Sequence, residues 1–86
     1  MEADGVALVT GAGRGLGRAL ARALARRGFE VVGTVRSDAD AEALRAEAAR
    51  DGLRLRPLAL DVRRAQGFVP PDGLRVLVNN AAVDGP

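Results

Sequence analysis

Apolar and polar positions along this chain alternate between two rhythms. Val6, Ala7, Leu8 and Val9 form a short continuous apolar run, the pattern of a parallel strand covered on both faces. From Leu16 onward the apolar residues recur at helical spacing, with Leu20, Ala23 and Leu24, which predicts a first helix from about Arg14 to Arg27 that stops at Gly28. Arg22, Arg26 and Arg27 then fall near its negative end, where cations are favoured. Phe29 to Val35 reads as a second strand. Ala41, Leu44 and Ala48 predict a second helix, with Asp38 or Asp40 as its N-cap and Gly52 as its stop. Leu53 to Leu60 is the third strand, in which Pro57 marks a missing ladder bond or a sheet edge. Arg75 to Asn79 is the fourth.

Strands alternating with helices predict an α/β fold with a parallel sheet. Right-handed crossovers put both helices on one face while the chain winds outward from the first strand to the third. The fourth strand then lies on the other side of the first, giving the order 3-2-1-4 of a doubly wound sheet. That reversal is a switch point, and ligands bind there, at the carboxyl ends of the strands. Residues 63–73 contain Gln66-Gly67 and Pro70-Pro71, and no proper helix is expected between strands three and four. A sheet with one uncovered face and an open edge at strand four is expected to self-associate and to be poorly stable as a monomer.

The octapeptide from Thr10 to Gly17, TGAGRGLG, lies where the first strand turns into the first helix. The leading N–H groups of a helix have no intrahelical partner and the dipole is positive there, so the junction favours an anion such as a phosphate. Two Gly-rich templates fail on spacing. GxxxxGK[ST] needs a lysine, and the chain has none. GxGxxG would place its third glycine at Leu16 when counted from Gly11, or at Arg18 when counted from Gly13. What remains is Gly11, Gly15 and Gly17 in the pattern TGxxxGxG.

That pattern, followed in order by Leu60-Asp61-Val62 and Asn79-Asn80-Ala81-Ala82, resembles the nucleotide-binding signature of the short-chain dehydrogenase/reductase family. The resemblance implies that residues 1–86 are the N-terminal part of a Rossmann-like dinucleotide-binding domain, cut after its fourth strand. It implies that Gly11 makes the tight turn, Gly15 lets backbone approach the pyrophosphate, and Gly17 lets the helix pack closely on the strand. Each role needs a missing side chain. Asp61 and Val62 would contact the adenine, and Asn79 and Ala81 would line the floor beside the ribose and nicotinamide. The family motif commonly ends in Gly where this chain has Ala82. Read without the resemblance, Asp61 could equally cap a turn, and Asn79-Asn80 could be turn residues that bond their own backbone.

The residue after the second strand discriminates between nicotinamide dinucleotides, because a carboxylate there bonds the ribose 2′-hydroxyl and repels a 2′-phosphate. The strand exits into Val35-Arg36-Ser37. Arg36 offers a planar fork to a phosphate, Ser37 a hydroxyl, and Arg14 a second cation. This favours NADP(H); Asp38 in the ribose role would instead favour NAD(H). The candidate cofactor contacts are therefore Thr10, Gly11, Arg14, Gly15, Leu16, Gly17, Arg36, Ser37, Asp61, Val62, Asn79 and Ala81.

Composition narrows the remaining chemistry. The 48% of hydrophobic residues is mostly Ala, Leu and Val, with two Phe and no Trp or Tyr, so the core has little bulk. All thirteen basic residues are Arg and the net charge is only +2. The arginines are spread over helices and loops with no interleaved aromatics, which argues against nucleic acid as a partner. Without Cys or His there is no thiolate chemistry and no ordinary zinc site. Met1-Glu2-Ala3-Asp4 lacks the apolar stretch of a signal peptide, and no apolar run approaches membrane length; a cytoplasmic location is the expectation. In the family a Tyr with a Lys four residues later, and a Ser, carry proton transfer during hydride exchange with a carbonyl or alcohol. This chain has no Tyr and no Lys, and its one serine is Ser37. No catalytic residue is assigned, and the catalytic and substrate-binding half is expected beyond Pro86. The alternative is a non-catalytic nucleotide-binding or assembly fragment.

Overall fold

A computed structural model describes residues 5–60 and 73–78. The elements are β1 (Val6–Val9), α1 (Gly15–Arg26), β2 (Glu30–Val35), α2 (Asp38–Asp51), β3 (Leu55–Ala59) and β4 (Leu74–Val78). All described strand pairs are parallel, in the order β3-β2-β1-β4, which is the partial Rossmann-like arrangement anticipated from the pattern. β3 is an outer strand paired with β2 alone, so Pro57 sits at the sheet edge, where its missing N–H removes no ladder bond on the outer side. Val6 and Ala7 are offset in their pairing with β4, a local irregularity at the amino end of β1.

Both helices pack on one face of the sheet. Ala7, Val9, Val31, Val35 and Leu55 meet Ala21 and Ala25 from α1 and Ala41, Leu44 and Ala48 from α2 in one buried cluster. The α1 stripe Gly17, Ala21, Ala25 is composed of small residues at four-residue spacing, which lets the helix axis approach the strands closely. On the other face, strand alternation places Leu8, Val32 and Thr34, all buried, together with Leu58 and Leu77, which are 39% and 61% exposed. The second face is thus closed over its central strands and open on its outer ones.

The helix ends differ from the expectation in one instructive place. The N-cap of α2 is Ser37, not Asp38 or Asp40: its backbone is extended (φ −142°, ψ 162°) and its hydroxyl oxygen accepts the N–H of Asp40 at 3.1 Å. Ser and Asp cap about equally well, so backbone geometry decides, and the two aspartates fall in the first turn, where their charge complements the dipole. Gly52 closes α2 in the left-handed conformation, with φ 67°. Strand ends shift by one or two residues from those read off the sequence. The expected absence of a helix over 63–73 concerns a segment that lies, but for Gly73, outside the described residues.

Two ion-paired arginines tie the helices to each other. Arg18 reaches Glu47 at 2.7 Å, and Arg22 bridges Glu47 and Asp51, the latter at 2.7 Å. The Arg18 and Arg22 guanidiniums hold the Glu47 carboxyl below the usual carboxylate range, chiefly through the Arg18 hydrogen bond, against the opposing effect of desolvation. Asp51 is lowered likewise, chiefly by its hydrogen bond from Arg22.

Candidate functional site

The carboxyl ends of the central strands converge at one edge of the sheet. Thr10, the residue after β1, donates its N–H to the Val78 carbonyl at 3.0 Å, joining the end of β1 to the end of β4. Leu60, the residue before Asp61, donates its N–H to the Val35 carbonyl at 2.8 Å, joining the end of β3 to that of β2. Thr10, Leu60 and Val78 therefore stand at the same end of the sheet; Leu60 and Val78 are the last described residues before Asp61 and Asn79. The candidate residues Asp61, Val62, Asn79 and Ala81 themselves lie outside the described residues.

The glycine-rich segment makes its turn at Gly11, with φ 68°, a left-handed conformation that disfavours any residue carrying a Cβ. Gly15, which opens α1, has φ 61°, and a Cβ built on it would meet nothing within 4 Å. Open space on that side of the backbone is what close approach of a ligand requires. Gly13 has no such backbone demand, and an added Cβ there would touch the Val35 side chain at an ordinary 3.5 Å. The pattern TGxxxGxG treats position 13 as unrestricted, and the geometry agrees.

The two helix N-termini differ in how they are closed. The α2 end is closed by its own residues, Ser37 as cap and Asp38 and Asp40 in the first turn. The α1 end has Arg14 at the cap position with no side-chain cap bond and no acidic residue in its first turn. Its first intrahelical bond is a long one, from Arg18 N–H to the Arg14 carbonyl at 3.4 Å. The N–H groups of residues 15–17 precede that bond and carry the positive end of the dipole. A dinucleotide pyrophosphate suits this cradle: an uncapped helix end, a glycine with empty space beside it, and a cation at the cap.

Around the cradle, Arg14, Leu16, Arg36 and Ser37 are all exposed, and Leu16 in particular is 66% exposed, an apolar side chain held at the mouth of the turn. Gly17 is buried in the α1 stripe, where it packs the helix against the sheet. Ser37 keeps its hydroxyl hydrogen as a donor while its oxygen serves the α2 cap. Arg36 follows β2 directly, and the approach of Gly13 to Val35 and Asp40 (3.5 and 3.8 Å from a built Cβ) brings the glycine loop alongside the start of α2.

Sequence reasoning missed two residues of β2 that hold the loop. The Gly11 N–H donates to the Thr34 hydroxyl oxygen at 3.2 Å, and the Ala12 N–H donates to the Thr34 carbonyl at 2.8 Å. Ala12 itself is fully buried over Gly33. The sequence signals were a Gly and a Thr interrupting a Val-rich strand, which period and propensity alone read as ordinary variation. Among the described residues no group of His, Cys, Asp and Glu could hold a metal ion, and no helix is long and apolar enough to cross a membrane.

Comparison with known proteins agrees with this geometry. A family model for short chain dehydrogenases matches residues 5–86. An uncharacterized oxidoreductase of Myxococcus xanthus (strain DK1622) is 42% identical over 87 residues, an alignment that covers 92% of this chain and 34% of the relative. Among solved structures, a variant of actinorhodin polyketide ketoreductase crystallised with NADPH superposes with a TM-score of 0.78 at 30% identity, over 99% of this chain and 36% of that protein. The chain thus spans about a third of the length of each of these two proteins.

Proposed function

Since this chain belongs to the short chain dehydrogenase family, we propose that it is the NADP(H)-binding segment of an oxidoreductase that moves hydride between a nicotinamide and a carbonyl or alcohol. The observation that carries the reading is the uncapped N-terminus of α1 behind Gly15, with Arg14 at the cap. In this reading the amides of residues 15–17 receive the pyrophosphate. Leu16 covers it from the solvent side, and Gly17 keeps the helix low enough on the sheet for those amides to reach. Asp61 and Val62 take the adenine, and Asn79 and Ala81 the ribose and nicotinamide side. When bound, the cofactor supplies or accepts the hydride; the residues of this chain hold and orient it.

The preference for NADP(H) over NAD(H) rests on Arg36 and Arg14, exposed at the end of β2 and at the α1 cap, with the Ser37 hydroxyl between the strand and α2. The NADPH bound to the actinorhodin ketoreductase supports the same choice. Titration of the chain with NADPH and NADH tests it. The wild type is expected to bind NADPH more tightly, and Arg36→Asp to lose NADPH affinity by about tenfold or more while NADH changes little, given the strength of charge-assisted bonds to phosphate. Equal losses for the two cofactors would remove Arg36 from the 2′-phosphate role. A wild type that binds neither at millimolar concentration would overturn the binding reading itself.

Self-association of the chain belongs to the same reading, as a second copy meeting the outer strands of the sheet. The exposed Leu77 on β4 and Leu58 on β3 favour it.

A further inference from the structure

We propose that Thr34 is a positioning residue for the pyrophosphate turn, acting through the backbone of Gly11 and Ala12; the proposal rests on the cofactor reading above. Thr34 is 2% exposed and is the one buried polar residue among those described. Its neighbours in β2 are Val31, Val32, Gly33 and Val35, so a valine would suit the strand equally well by shape and propensity. A hydroxyl in such a place is costly unless it is bonded. Here its oxygen accepts the Gly11 N–H at 3.2 Å, and the carbonyl of the same residue accepts the Ala12 N–H at 2.8 Å. On the opposite side of the strand, Gly33 leaves the space that the Ala12 methyl occupies: a Cβ on Gly33 would stand only 2.7 Å from it. Residues 33 and 34 thus grip the turn from both faces of β2.

The consequence for binding follows from peptide geometry. The Gly11 N–H belongs to the Thr10–Gly11 peptide, and Thr10 is itself fixed to β4 by its N–H bond to Val78. With one peptide tied to β4 and the next two to β2, the planes of residues 10–12 are set before the chain reaches Gly13. Two loop amides are committed to the protein and are not the ones offered to an anion. The direction in which residues 15–17 present theirs is inherited from that anchorage. Thr34 touches no cofactor atom in this account; it decides how the residues that do are aimed.

The test uses the 86-residue chain with Thr34→Val, which keeps the shape and removes the acceptor, and Thr34→Ser, which restores the oxygen. Three quantities are read: the thermal melt, the exchange rate of the Gly11 amide without ligand, and the affinity for NADPH. Thr34→Val is expected to speed Gly11 exchange and weaken NADPH by about tenfold each, the loss of one hydrogen bond, and Thr34→Ser to recover most of both. Unchanged Gly11 exchange in Thr34→Val overturns the proposal whatever the affinity does. Faster exchange with unaltered NADPH affinity also overturns it, since the anchorage would not matter to binding. If Thr34→Val does not fold, Thr34→Ser decides: it must keep Gly11 protected and NADPH affinity near wild type. A wild type that binds no NADPH defeats the cofactor reading and with it the role in binding, and the exchange measurement still decides the anchorage.

Discussion

Ala12 sits against Gly33 so closely that a Cβ placed on the glycine would come within 2.7 Å of the Ala12 methyl, with Leu55 and Leu44 at 3.6 and 3.7 Å behind it. The contact joins the glycine loop to the middle of the sheet. Ala12 has no flexible side chain that could swing away, so a methyl at position 33 must displace loop backbone. Gly33→Ala is therefore expected to cost about 1–3 kcal/mol, the range for overpacking a filled core. For a domain of this size that lowers the melting temperature by roughly 4–8 °C per kcal/mol. Ala12→Gly in the same chain returns the space, so the double variant should melt above the value expected from summing the two single changes. Strictly additive melts would show that the two residues do not share that volume.

Gly15 presents the reverse case. It has space for a methyl and the wrong backbone for one, with φ 61° and nothing within 4 Å of a built Cβ. Gly15→Ala is expected to lose about 1–2 kcal/mol of stability through the left-handed conformation. It should weaken NADPH by more than that, because the methyl enters the approach path of the pyrophosphate. Gly13→Ala, with ordinary contacts and no positive φ, should leave both nearly unchanged. Parallel melts and NADPH titrations of the two variants check this; a Gly15→Ala protein that binds like wild type would place the phosphate elsewhere.

The α1–α2 clamp makes stability depend on acid. Glu47 and Asp51 titrate lower in the folded chain than their ordinary range because Arg18 and Arg22 bond them. The folded state therefore binds fewer protons than the unfolded state as pH falls. The contribution is fully present above the ordinary carboxylate range, near pH 4, and disappears as pH drops through the lowered folded values. Both carboxylates are near the surface, so the effect is modest and salt-dependent. Melts recorded from pH 7 to pH 3 should fall more steeply below pH 4 for the wild type than for Glu47→Gln, which has already lost its share. Superimposable curves would remove Glu47 from the acid response.

Leu77, 61% exposed on the outer strand β4, is expected to drive association at rising concentration. Sedimentation of the wild type should show a concentration-dependent mass, and Leu77→Arg should shift the chain toward the monomer, since a charge on an exposed edge strand opposes pairing. A wild type that stays monomeric across the range would dismiss that surface.

The residue pattern was enough to give the alternation of strands and helices, the parallel order 3-2-1-4 and the place of the glycine turn. Those follow from local quantities: the continuous apolar run at Val6–Val9, the helical spacing of Ala41, Leu44 and Ala48, and glycines where chain direction changes. The same pattern pointed to Asp38 or Asp40 for the α2 cap and missed Ser37, because Ser and Asp cap about equally well and only the extended backbone at Ser37 separates them. Nor could it show that α1 is left uncapped while α2 is closed, or that Glu47 and Asp51 answer Arg18 and Arg22. The grip of Gly33 and Thr34 on Gly11 and Ala12 was decided by tertiary structure alone. Partners more than twenty residues apart meet only once β1 and β2 pair in register, Val9 beside Gly33, and no local pattern encodes which side chain that register sets under the loop.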